Sequence, residues 1–156
     1  MLNKLAAFGQ SAWYWVAIIV MGLIMEGSAL YYQYALDYYP CVLCIHIRIW
    51  VMAVILLALL ALLIRPIRNT RALLIGAHVA SIGLFIGLLE RCWMTFAVER
   101  LMVDGSCSMD SGLPAWFALD KWFPWIFEVQ EACGYTPEVL LGITMAEALL
   151  MISAGA

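Results

Sequence analysis

The chain has 156 residues, 66% of them hydrophobic and 12% charged, with a formal net charge of −3. Soluble domains carry about 25% charged residues, so this composition leaves too little polar side chain to cover a water-facing surface and excludes a soluble globular domain. The small net charge offers no footprint for nucleic acid, and the length suits one compact membrane domain.

Residues 1–10 are a short lead whose only charge is Lys4. The first apolar run, about residues 12–32, exceeds the roughly 7–15 residues of a signal-peptide core and lacks a convincing cleavage site, so it predicts a retained transmembrane helix. Glu26 lies in its second half, where a carboxylate is costly in lipid and is expected to face the bundle or snorkel outward. Tyr31, Tyr32, Tyr34, Tyr38 and Tyr39 form an aromatic belt at its outer end.

Pro40 favours a helix start just after it. The second run, about residues 41–64, is longer than the roughly 20 residues a span needs. It ends in a connecting loop, 65–71, that holds three arginines, a proline and no acid. The third run, about residues 72–91, exits at Glu90-Arg91. Residues 92–136 are too polar to cross a bilayer. Their aromatic middle, Leu113 to Phe127, is cut by Pro114 and Pro124 and predicts a short helix lying in the interface. A fourth run, about residues 137–153, opens at Pro137 and contains Glu147.

The predicted fold class is an all-α membrane protein, a four-transmembrane-helix bundle with a long extracytoplasmic loop. Lys4 and the loop arginines lie on one side with no acids. By the positive-inside rule both termini are then cytoplasmic, and loops 33–40 and 92–136 are extracytoplasmic.

The chemistry is concentrated in Pro40-Cys41-Val42-Leu43-Cys44-Ile45-His46-Ile47-Arg48. A helix N-terminus carries partial positive charge and unpaired N–H groups, which favour the thiolate that attacks disulfides. Arg48 follows Cys44 by four residues and shares its helix face, where a fixed cation stabilises an anion. Covalent haem attachment requires His directly after the second Cys, and here Ile45 intervenes. A zinc site needs four ligands; Cys41, Cys44 and His46 supply three, and Cys107 or Cys133 a fourth, so metal binding stays open. His46 reads as an interfacial packing residue rather than a base, and His78, midway along the third run, as a hydrogen-bonder inside the bundle.

The long loop adds Cys107 and Cys133, with Cys92 at its entrance. Cysteines on an oxidising face tend to pair. Pairing Cys107 with Cys133 closes a loop around the aromatic segment and leaves Cys92 as a buried thiol near a helix end. Such a bridge is either a static staple or one half of a thiol–disulfide exchange between two loops.

These residues resemble the DsbB family of disulfide-bond-forming membrane proteins. The likeness rests on Pro40 to Ile45 with Arg48, and on Cys107 followed by Pro114-Ala115-Trp116, Leu119-Asp120-Lys121-Trp122, Pro124 and Cys133. The order of four spans, the arginine-bearing loop and Leu140-Leu141-Gly142 extend it over most of the chain. The resemblance implies redox disulfides Cys41–Cys44 and Cys107–Cys133, and attack on Cys107 by a periplasmic DsbA-like thioredoxin-fold partner. It also implies transfer from Cys133 to Cys41, and delivery of electrons from Cys44 to a membrane quinone, ubiquinone or menaquinone, beside Arg48. It places the protein in the bacterial inner membrane. Four features depart from the pattern: Ile47 stands where a polar residue is frequent, Arg91 where a histidine follows Glu, Cys92 is an additional thiol, and the stretch before Cys107 is slightly longer. The competing readings are a vitamin K epoxide reductase-like quinone reductase, whose Cys-x-x-Cys lies late in the chain, and a non-enzymatic tetraspan protein with static disulfides or a metal site.

Overall fold

The computed structural model describes residues 11–65, 71–103, 111–131, 138–140, 143–144, 147–148 and 150–151. Three long helices carry the fold: α1 (Ala12–Ala35), α2 (Val42–Ile64) and α3 (Arg71–Glu99). Among the described residues, these are the helices long and apolar enough to cross a membrane. At 1.5 Å per residue each covers the roughly 30 Å hydrocarbon layer.

Helix α2 is the centre of the bundle and packs against both α1 and α3. Its buried residues Ile47, Val51, Val54, Ile55 and Ala58 recur every three or four positions and form one stripe. Ile47, Val51 and Ile55 build the core with Leu88 and Cys92 of α3. Two glycines set the helix spacing. A Cβ on Gly22 of α1 would lie 2.6 Å from the Ile55 side chain, and one on Gly87 of α3 would lie 2.5 Å from the Trp50 ring. Small residues at these crossings let large side chains of α2 seat directly on the neighbouring backbones. Leu56, Leu60 and Leu63 of α2 and Ile75, Val79, Ile82 and Ile86 of α3 are exposed, which suits helices whose outer surface is solvated by lipid. At the other end of the bundle Trp15 is buried. It packs edge-on against the His78 ring, which Tyr14 stacks, while His78 Nδ1 meets the Leu74 carbonyl at 2.7 Å.

The helix ends differ from the sequence expectation. Helix α1 runs to Ala35, and Asp37 then turns the chain with φ 55°, a left-handed conformation Asp tolerates better than most side chains. Helix α3 does not stop at Glu90-Arg91. The apolar spacing continues through Leu88, Cys92 and Thr95, all buried, so burial carries the helix on to Glu99. It closes with Leu101 N–H on the Val98 carbonyl (3.1 Å) and Met102 N–H on the Ala97 carbonyl (2.8 Å), with Leu101 at φ 55°. That bond pair is a Schellman ending, built here without glycine. Cys92 therefore belongs to the helical core and not to the loop.

Beyond α3, the described part of the loop holds a 3₁₀ turn (Ala115–Phe117) and two single-turn helices, α4 (Leu119–Trp122) and α5 (Pro124–Phe127). Pro124 sits at the start of α5, where its missing N–H costs nothing.

Of the run expected as a fourth span, about residues 137–153, the structure describes only 138–140, 143–144, 147–148 and 150–151, and the rest lies outside the described residues. Strand β1 (Glu138–Leu140) pairs antiparallel with β2 (Ile143–Thr144), and residues 147–148 and 150–151 are helical. Glu147 N–H donates to Thr144 Oγ1 (3.3 Å), and Thr144 N–H donates to Glu147 Oε2 (3.2 Å). This reciprocal pair has the bonds of a capping box. Glu147 also pairs with Arg100, and the Thr144 hydroxyl donates to Glu99 Oε2 (3.1 Å), so the cap is tied to the end of α3.

Candidate redox site

Cys41 is the N-cap of α2. Its backbone is extended (φ −84°, ψ 171°), and its Sγ accepts the Cys44 N–H at 3.4 Å. The sulfur occupies the place of a capping Ser or Asp oxygen. Cys44, in the first turn, brings its own Sγ to 3.0 Å from that of Cys41. Cys41 is buried and Cys44 half-buried. The hydrogen bond from the Cys44 thiol brings the Cys41 thiol down from 9.0 to about 7; burial opposes the shift, and the N–H groups of the helix start reinforce it. A depressed pKa means that the thiolate is present above about pH 7 and is lost as pH falls through it. In the reduced protein, the ultraviolet thiolate absorbance that disappears on Cys41→Ser is therefore expected to titrate near pH 7. A midpoint near 9 would show that neither the Cys44 thiol nor the helix-start N–H groups lower it.

Two turns further along α2, Arg48 is 6% exposed. Its NH1 donates to Gln33 Oε1 (2.8 Å) and to the Ile126 carbonyl (2.7 Å), and its NH2 to the Ala29 carbonyl (3.3 Å). One guanidinium thus joins α1, α2 and the end of α5, the multi-acceptor use that suits Arg and not Lys. Its Nε is buried with no partner among the described residues. Glu26, seven residues before Gln33, lies on the same face of α1 and is half-buried.

The loop is pinned over the start of α2 at several points. The Pro40 carbonyl, next to Cys41, accepts from Gln130 N–H (3.1 Å) and Glu131 N–H (3.4 Å). His46 Nε2 meets the Ser111 carbonyl at 2.9 Å. The Tyr34 hydroxyl donates to the Trp125 carbonyl. Of the residues singled out from sequence, the structure brings Cys41, Cys44 and Arg48 onto one helix end. Cys107 and Cys133 lie outside the described residues. Gln33, Ser111 and the Pro40 and Ile126 carbonyls were not legible as site residues. Gln33 alone left a signal, as a lone amide in an apolar helix; backbone acceptors leave none.

Comparison with known proteins places this arrangement. The family model for disulfide bond formation protein DsbB matches residues 11–156. Disulfide bond formation protein B 2 of Pseudomonas aeruginosa is 33% identical over 138 residues, covering 85% of this chain and 78% of the relative. The disulfide bond formation protein B of Shewanella denitrificans is 28% identical, covering 99% and 87%, and that of Photobacterium profundum is 29% identical, covering 99% and 86%. With a Cys-x-x-Cys pair capping a membrane-length helix and a loop docked over it, the chain belongs to the DsbB family of membrane disulfide oxidoreductases.

Proposed function

We propose that the protein reoxidises a periplasmic DsbA-like dithiol and passes the electrons to a membrane quinone, with Cys107–Cys133 as the entry disulfide and Cys41–Cys44 as the exit disulfide. One observation carries this reading: Gln130 and Glu131 are both bonded to the carbonyl of Pro40. The described residues 130–131 are thus held beside Cys41, and Cys133 follows Glu131 by two residues, a reach of at most about 7 Å. Cys41 is 5% exposed, too buried for a protein partner to attack, and an internal arm solves that problem.

The electron balance is as follows. A partner thiolate attacks Cys107 Sγ, the Cys107–Cys133 bond breaks, and the electron pair leaves on Cys133. The partner's second thiolate then displaces Cys107 and departs as a disulfide. Cys133 attacks Cys41, the Cys41–Cys44 bond breaks, and the pair moves to Cys44. Cys107 reclaims Cys133 and leaves the inner pair as a dithiol. Reoxidation of that dithiol releases two electrons and two protons.

A quinone, ubiquinone or menaquinone, would supply the two-electron acceptor. The residues fit such a group: Cys44 is the less buried sulfur, and the unpartnered Nε of Arg48, one turn away, is a donor for a carbonyl oxygen. In this reading the cysteine-bearing end of α2 faces the periplasm of a bacterial inner membrane, and the arginine-rich turn after Ile64 faces the cytoplasm. Mixing the oxidised protein with a reduced single-cysteine variant of the thioredoxin-fold partner is expected to trap a mixed disulfide at Cys107, located by peptide mapping. Capture at Cys41, or inert bridges, would refute the relay.

A further inference from the structure

We propose that His46 is a positioning residue for the exchange, docking the first arm of the loop onto α2 through Ser111 and Asp120; this rests on the relay reading above. His46 lies two residues beyond Cys44, and its hydrogen bond runs to the loop backbone rather than to a sulfur. The Ser111 carbonyl only accepts, so the His46 ring carries its proton on Nε2. Ser111 is 3% exposed. Its hydroxyl donates to Asp120 Oδ2 (2.9 Å) and accepts from Leu113 N–H (3.4 Å). A single buried serine therefore links α2, the loop backbone and the first turn of α4.

The loop's second arm has its own anchors, the Pro40 carbonyl for Gln130 and Glu131 and Arg48 for Ile126. A second anchor, at the described residue Ser111, holds the first arm as well and raises the effective concentration of the groups it carries. Ser111 is four residues after Cys107, a tether of at most about 14 Å. His46 is thus placed to govern the Cys107 side, while Pro40 governs the Cys133 side.

Two single-bridge backgrounds separate these roles in the full-length protein in lipid nanodiscs. Cys44→Ser with Cys133→Ser reads closure of Cys41 with Cys107 against a glutathione buffer, and Cys44→Ser with Cys107→Ser reads closure of Cys41 with Cys133. His46→Phe is expected to lower the first effective concentration about tenfold, the scale of one buried hydrogen bond, and to leave the second within about threefold. His46→Gln keeps an N–H donor and is expected to restore the first. Ser111→Ala, which keeps the carbonyl but loses the link to Asp120, is expected to lower the first by a smaller factor. Equal loss in both backgrounds without rescue by Gln, or no change in the first, overturns the proposal. If neither bridge closes with His46 intact, the relay reading itself fails and the proposal falls with it.

Discussion

Replacing Cys44 by Ser is expected to abolish turnover, by at least about three orders of magnitude, the scale on which loss of an essential nucleophile acts. In the proposed relay the inner pair alternates between disulfide and dithiol, and an oxygen at position 44 cannot take part. The Cys44 N–H that donates to the capping Cys41 sulfur is a backbone group, so the variant keeps its helix start and still presents Cys41 to the loop. The expected product is a stalled bridge between Cys41 and Cys133. Anaerobic loss of quinone absorbance with a reduced thioredoxin-fold partner measures turnover, and a non-reducing peptide map detects the bridge. Undiminished turnover would remove Cys44 from the route; absence of the bridge would remove Cys133.

Arg48→Met is expected to weaken both the fold and the acceptor site. The side chain makes three hydrogen bonds to α1 and the loop, each worth about 1.5–3 kcal/mol when the donor is charged. Part of that gain is offset by the cost of burying the charge, so a net loss of about 2–4 kcal/mol is expected. Unfolding by detergent titration in mixed micelles measures it. The same variant removes Nε, which has no partner among the described residues and which the proposed relay turns to the acceptor, so the KM for a short-chain quinone is expected to rise about tenfold with a smaller change in kcat. Arg48→Lys is expected to fall between, because one ammonium cannot fork to Gln33, Ala29 and Ile126 together. Unchanged unfolding in Arg48→Met would mean that the three acceptors do not depend on the guanidinium for their places.

The place of Cys41 and Cys44 at a helix start was legible because its signal is local. Cys-x-x-Cys after Pro40 at the edge of an apolar run states a helix start, and a helix start states a thiolate-favouring place. The three long spans were legible for a similar reason, since a bilayer demands a continuous apolar length that few other structures need. Residue-level boundaries were not. Helix α3 passes through Glu90-Arg91 because Cys92 packs in the core against α2 and Thr95 is buried, and its end at Leu101 uses no glycine. In the last apolar run, which reads as a span on composition, Thr144 and Glu147 bond each other and tie to Glu99 and Arg100, long-range contacts that hydropathy does not register.

The chain by itself determined a membrane protein with a dithiol at a helix start and an arginine one turn beyond it. Those properties follow from residue type and short spacing, which are the same in any fold. Only the tertiary structure decided which sulfur caps the helix, that Arg48 is occupied by Gln33, Ala29 and Ile126, and that His46 and Pro40 hold the two arms of the loop. These depend on backbone carbonyls and on residues up to 91 positions apart. A carbonyl is common to every residue, so nothing in the sequence marks which one a buried donor will meet until packing brings it there.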